Sequence, residues 1–380
     1  MATAHINIEM LIWARNRCRM SVPELAEKLK ITEEKLVHWE SGDKEITFKQ
    51  AQNFANKTYI PFGYLFLPHP PKEELPLPDL RTVDGRHPHE PSIELMDMVK
   101  IIMQRQEWYK EYLQEQIVGE NPIVGRFSSQ SSVDEIVNDI RQQLRVETHP
   151  TRGSWEDYYR DLVMRIEANG IMVMRESYLH HHSRPLSVDE FRGFAIADNI
   201  APVIFVNHAD APSPRLFTLI HELCHIWIGK TGISDTDPNN HRKEEILCNA
   251  VAGEFLVPQE EFLVHWDEDL DNWKENLPQL KAYFHVSTWA LARRALTLNK
   301  ISQTDYQNYI REQRQAFLQS KESGNGGPTY YISKNAQLSS NFSGAVISEA
   351  LSGKLLLRDA GRLLDMKPNN IEVFAKGLNI

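Results

Sequence analysis

The sequence predicts an α+β chain that is mostly helical, and three observations carry that reading. Apolar residues recur at helical spacing, often behind a capping residue, along most of the 380 residues. Short β-branched runs bounded by turn formers gather in one stretch, residues 171–207. Seven of the twenty prolines fall between residues 68 and 91, where they separate a small all-helical start from a larger mixed body. At roughly 150 residues per domain, the length suits two to three domains.

Residues 8–18 place Ile8, Leu11, Ile12 and Ala14 on one helical stripe. A second helix opens behind Ser21, with Pro23 in its first turn and Glu24 at the capping-box position, and carries Leu25, Ala26 and Leu29. A third follows Thr32, carries Leu36, Val37 and Trp39, and stops at Gly42. A fourth follows Thr47, with Gln50 at the box position and Ala51, Phe54 and Ala55 inside. These make a first domain at 1–67, and the prolines make 68–92 an extended linker. Helices return at 93–117, at 133–145 behind Ser132 and Glu135, and at 155–168 before Gly170. Three strands are expected at 171–174, 194–197 and 202–207. Beyond residue 214 the pattern is helical, apart from a Gly/Ser-rich break at 320–330. The body is placed at 93–300. The region 301–380 is expected to end in three short helices at 348–356, 360–364 and 371–378, read as a small docking bundle. No internal repeat of fixed period is present.

The 42 basic and 52 acidic residues leave a net charge of −10. Broad nucleic-acid binding is disfavoured, because such affinity rests on neutralising phosphates. Three scattered cysteines, Cys18, Cys224 and Cys248, make no disulfide framework. No apolar run approaches the ~18 residues a membrane span needs. The start, MATAHINIEM, lacks the basic-then-apolar layout of a secretory signal. A cytoplasmic chain is the expectation.

The chemistry lies in residues 213–229, SPRLFTLIHELCHIWIG. Ser213 can cap a helix and Pro214 can sit at its first position. His221 and His225, four apart, share one helix face and can bind one zinc ion. Glu222, about 100° round the helix, reaches a water held there. The remaining residues are apolar, so these three polar side chains need a reason to be present. A zinc site that keeps one open position needs a third protein ligand. Residues 242–258, RKEEILCNAVAGEFLVP, form a helix ending at Pro258. Glu245 is placed to supply the carboxylate, with Asn249 one turn on to hydrogen-bond a ligand. Glu244, about 100° away, and Glu254, deeper in the apolar half, remain its rivals. His180, His181 and His182 read as surface loop, since three consecutive residues cannot all face one ion. Cys224 and Cys248 read as small apolar residues. His265 and His285 are candidates to donate to an oxyanion, at distances the sequence does not fix.

With those residues in hand, the chain resembles the ImmA/IrrE family of zinc metallopeptidases, in its longer form with an N-terminal helix-turn-helix domain. The likeness rests on Glu190-Phe191-Arg192-Gly193-Phe194-Ala195, Pro202-Val203-Ile204-Phe205-Val206-Asn207, Phe217-Thr218-Leu219, His221-Glu222, His225, Cys248-Asn249 and Leu256-Val257-Pro258. Val286-Ser287 with Ala292-Arg293-Arg294 also look like the family, without an assigned role. The resemblance implies a zincin-like body with zinc on His221, His225 and Glu245, and Glu222 as general base. It further implies cleavage of a partner, a transcriptional repressor or neighbouring-gene product, and the strand Phe194–Ala197 is expected to hold the substrate by pairing along a free sheet edge. The first domain is similar to Xre/Cro-type helix-turn-helix modules, on Met20-Ser21, Glu24-Leu25-Ala26 and Trp39-Glu40-Ser41-Gly42. In such modules the N-terminal residues of the third helix enter the major groove. Here these are Thr32, Glu33, Glu34, Lys35 and His38. Nine basic and eight acidic residues in 1–66 leave that module a net +1, so DNA binding and protein docking both stay open. The alternative to a peptidase is a DNA-binding regulator or toxin–antitoxin component whose zinc fold senses or docks.

Overall fold

The structure, a computed structural model, describes residues 4–79, 91–234, 242–322 and 336–378. The chain divides into two units, Met1–Glu74 and Leu75–Ile380.

In the first unit, α1 (Ile8–Arg17), α2 (Val22–Leu29), α3 (Glu33–Ser41) and α4 (Phe48–Lys57) are followed by a 3-10 turn, Phe62–Phe66. The expected caps form: Ser21 and Thr47 each accept from the backbone three residues on and make full capping boxes with Glu24 and Gln50. Thr32 accepts from Lys35 N at the start of α3, and Gly42 closes that helix at φ +83°, a conformation open to glycine at no side-chain cost. The bundle closes around Met10, Leu11, Leu25, Leu36, Phe54 and Leu65. The 3-10 turn has no periodic signal in the sequence.

The second unit is built on a four-stranded sheet in the order β1-β3-β2-β4. Its strands are β1 (Met172–Glu176), β2 (Gly193–Ile196), β3 (Val203–Asn207) and β4 (Gly232–Ser234). β1 runs parallel to β3, while β2 is antiparallel to both β3 and β4. Nearly every strand residue is buried, because helices cover both faces. Alternation splits the strand residues between two cores. Val173, Ala195, Ile204 and Val206 face α6 (Val133–Leu144), α7 (Trp155–Ala168), α8 (Pro212–Trp227) and α9 (Lys243–Leu256). Met174, Phe194, Val203, Phe205 and Ile233 face α5 (Ile93–Glu115) and the C-terminal helices. Beyond α9 come α10 (Gln259–His265), α11 (Asn276–Phe284), α12 (Thr288–Thr297) and α13 (Gln303–Glu322). The expected break at 320–330 lies, from residue 323 on, outside the described residues.

Four expectations need correction. α8 opens at Pro212 behind Ala211, so Ser213 lies in the first turn and is not the cap. β4 stands outside the three expected strands, its three residues being too few to show alternation. The C-terminal helices α14 (Ser340–Leu351), α15 (Leu357–Leu364) and α16 (Ile371–Gly377) are no separate docking bundle. Phe342, Val346, Leu364 and Phe374 pack with Phe194 and Phe205, and the Glu167 carboxylate accepts from Ser340 N at 3.2 Å, fastening the start of α14 to the end of α7. The first of the three was expected to begin at 348 and begins at Ser340. Lastly, β2 has strands on both sides, so the 194–197 segment offers no free edge.

Candidate metal centre

α8 crosses the sheet beside β2 and β3, and α9 packs along α8. The close approach to β2 requires Gly193: a Cβ there would fall 2.8 Å from Oε1 of Glu222 and 2.9 Å from Cγ2 of Thr218, both on α8. Side chains of α8 and α9 converge from this frame, and His221, Glu222, His225 and Glu245 are all fully buried.

The donor atoms meet at one point. His221 Nε2 lies 3.2 Å from Glu245 Oε2 and 3.2 Å from His225 Nε2, and His225 Nε2 lies 3.1 Å from Glu245 Oε1. These three residues form the group able to hold a metal ion among the described residues. Both histidines thus sit on one face of α8, and Glu245 is the carboxylate that joins them. Glu244, on the preceding position of the helix, is not in the group, and Glu254 is paired with Arg294. Asn249 Oδ1 lies 3.2 Å from His221 Nδ1. The amide oxygen accepts, so Nδ1 carries the proton and Nε2 presents its lone pair.

Charge explains why this cluster calls for a cation. Burial pushes the His221 imidazole below its ordinary value, against the opposing pull of Glu245. Burial alone would raise Glu245, but the His221 and His225 imidazoles hold it well below the usual carboxylate range. Near pH 7 a carboxylate anion therefore meets the ring nitrogen of a neutral imidazole in a dry interior. His225 Nδ1, also buried, finds no hydrogen-bond partner among the described residues. Lone pairs that close repel one another in low dielectric unless a positive ion sits between them.

Glu222 stands outside the donor group, its carboxylate against Gly193 of β2. The Cys248 thiol is pushed up by burial and by its hydrogen bond with the free Cys224 thiol, which keeps it protonated and a poor metal ligand. His265 lies against the Tyr283 ring in a tilted pair, and His285 is a half-buried residue whose Nδ1 bonds the Gly153 carbonyl. Neither joins the donor group, nor do His180, His181 and His182. In the first unit Thr32 caps α3, Lys35 lies over the Trp39 ring at 5.4 Å, and His38 sits between Glu34 and Asp43 at 3.7 and 3.5 Å.

Two residues without an assigned role stand at this centre. Ser234 of β4 is fully buried, with Oγ 3.3 Å from both His225 Nε2 and Glu245 Oε1. Arg293 lies over the Phe217 ring at 5.2 Å, and its charge adds to the downward push on His221. Arg293 stood in a stretch the sequence already singled out; nothing in the local pattern flagged Ser234.

Fold and site together define a helix-covered, four-stranded domain with a buried group of three residues able to hold a metal ion. Residues 166–296 match the family model described as the IrrE N-terminal-like domain, Peptidase_M78, a span that contains both donor helices. That match supports a protease-type enzyme with a protein substrate. Residues 338–377, which include the C-terminal helices on the sheet, match a domain of unknown function, DUF8813. No curated protein matches the chain. Among the described residues, no helix is long and apolar enough to cross a membrane.

Proposed function

We propose that this chain is a cytoplasmic zinc-dependent endopeptidase that cleaves a partner transcriptional regulator, a repressor or neighbouring-gene product, with residues 1–67 as its docking module. The observation that carries the reading is the convergence of His221, His225 and Glu245 at 3.1–3.2 Å. A four-coordinate zinc ion at 2.0–2.1 Å from its ligands separates them by about 3.3 Å, so the donor set fits one ion. His221 and His225 supply nitrogen, Glu245 the carboxylate, and Asn249 fixes the His221 tautomer.

When bound, zinc supplies Lewis-acid polarisation of a peptide carbonyl and lowers the pKa of water at its open position. Glu222 takes the proton from the attacking water on its carboxylate and passes it to the leaving amine. The substrate runs extended along the sheet edge nearer the donor group, β4, since β2 is an inner strand and Ser234 of β4 meets His225 and Glu245. Glu222→Gln in the full chain, co-expressed with its gene neighbours, is expected to abolish cleavage of the partner while one zinc per chain is retained. Full cleavage by that variant removes the mechanism.

A second reading keeps the zinc fold as a sensor and makes the chain a DNA-binding regulator or toxin–antitoxin component. Two capped helices, α2 and α3, joined through Lys30–Thr32 favour it. A gel shift on the adjoining promoter, with and without zinc, separates the two: tight, salt-dependent, sequence-specific binding supports the regulator.

A further inference from the structure

The outer edge of β4 already carries a backbone partner. Ile233 N donates to the Pro78 carbonyl at 3.0 Å, and Asp79 bridges Ile233 in parallel. β4 has three residues, and its inner side is committed to β2, with Ser234 O accepting from Arg192 N. Successive residues of a strand alternate their backbone bonds, so Ile233 carries the outward-facing amide. Among the described residues one rung forms on that edge, and residues of this chain fill it.

The segment suits the place. Leu77 is 7% exposed and packs in the same core cluster as Ile233 and Phe194. Pro76 and Pro78 fix φ in the extended range and offer no donor, so the segment gives the edge a carbonyl without competing for hydrogen. The edge also lies beside the chemistry, because the residue after Ile233 is Ser234, whose hydroxyl touches His225 and Glu245.

We propose that the outer edge of β4 is a docking edge for one extended polypeptide segment at a time, and that residues 77–79 are its resident occupant. A substrate strand needs the Ile233 amide that Pro78 holds, so the two exclude each other. The free site is then a minor state, and apparent substrate affinity falls in proportion to the fraction of chains whose edge is vacant. This rests on the peptidase reading for the nature of the competitor.

The test uses the full-length, zinc-loaded chain with Leu77→Asp, which places a charge at the anchor and leaves β4 intact. Binding is read in the Glu222→Gln background with fluorescein-labelled, reduced β-casein as an extended probe. The expected result is casein affinity about tenfold higher than without Leu77→Asp, with faster amide exchange at Ile233. A synthetic peptide of residues 75–79 added in trans reverses both. Leu77→Ala, checked for an unchanged melting profile, moves both readouts the same way by less. Persistent protection of Ile233, unchanged casein affinity once Ile233 exchanges freely, or no casein binding to any variant overturns the proposal. Cleavage is measured separately with Glu222 in place. If the binding shift occurs and casein stays uncut, the peptidase reading fails and the docking edge stands.

Discussion

Ser234 donates its hydroxyl hydrogen to Oε1 of Glu245 across 3.3 Å, tying the outermost strand of the sheet to the helix that carries the carboxylate donor. Carboxylates that ligate metals are held in place by such bonds, and their loss typically costs about 10–100-fold in metal affinity. Ser234→Ala is therefore expected to weaken zinc binding within that range, measured by competition with a chromogenic chelator. The melting temperature of the metal-free protein changes little, because the variant removes one hydroxyl and no apolar packing. Unaltered zinc affinity would show that Glu245 is oriented by α9 alone.

Gly193 sets the distance between β2 and α8. A methyl group there meets Oε1 of Glu222 and the Phe205 carbonyl at 2.8 Å and Cγ2 of Thr218 at 2.9 Å. Two of those contacts belong to helix side chains and one to backbone, so the strand and helix must part. Overpacking of this kind costs about 1–3 kcal/mol. Gly193→Ala is expected to lower the melting temperature and to cut kcat/KM for the partner protein at least tenfold, by displacing the Glu222 carboxylate. Zinc content should persist, since Glu222 is not among the donors. Loss of zinc together with activity would instead place the damage at His221 and His225.

The two donor helices were legible because polar residues interrupt otherwise apolar helices at a fixed spacing. His221 and His225 four apart define a face, and Glu245 and Asn249 repeat the spacing on the next helix. What local pattern cannot carry is pairing. Nothing in residues 194–197 reveals that both sides of β2 are taken, and Gly232-Ile233-Ser234 is too short to alternate. An amphipathic C-terminal helix announces that one face is buried but not against which element. Phe342 and Phe374 therefore read as a bundle of their own, although they close the far face of the sheet. At the start of α8, Pro212 and Pro214 both suit a first turn, and the good capping chemistry of Ser213 pointed to the wrong one.

His208 makes stability depend on pH. Its Nε2 lies 3.2 Å from the Tyr159 hydroxyl. Burial first, then Arg215 and Arg175, push it well below its ordinary value near 6.5. The folded chain keeps this imidazole neutral, whereas the unfolded chain takes up a proton as pH falls through 6.5. Stability from this group is complete above 6.5 and is lost on acidification, by at most about 1.4 kcal/mol per pH unit. His221 carries the same sign in the metal-free protein. Between pH 7.5 and 5.5, in chelator, the drop in melting temperature is expected to be smaller for His208→Gln than for the unaltered chain. Equal drops would assign the acid sensitivity elsewhere.

The exposed start of α3 is acidic. Glu33 and Glu34 occupy its first turn, and His38 faces Glu34 at 3.7 Å and Asp43 at 3.5 Å. Of the candidate contact residues, Thr32 is spent on the cap and Lys35 lies over Trp39. Affinity for DNA grows with the phosphates a protein neutralises, and carboxylates at this position oppose that. The unaltered chain is expected to leave its adjoining promoter DNA unshifted in anisotropy at 0.15 M salt. Glu33→Lys with Glu34→Lys, which changes the charge of this helix end by +4, is expected to bring about salt-dependent binding. Tight, sequence-specific binding by the unaltered chain would defeat the docking-module assignment for residues 1–67 and turn the choice toward the regulator.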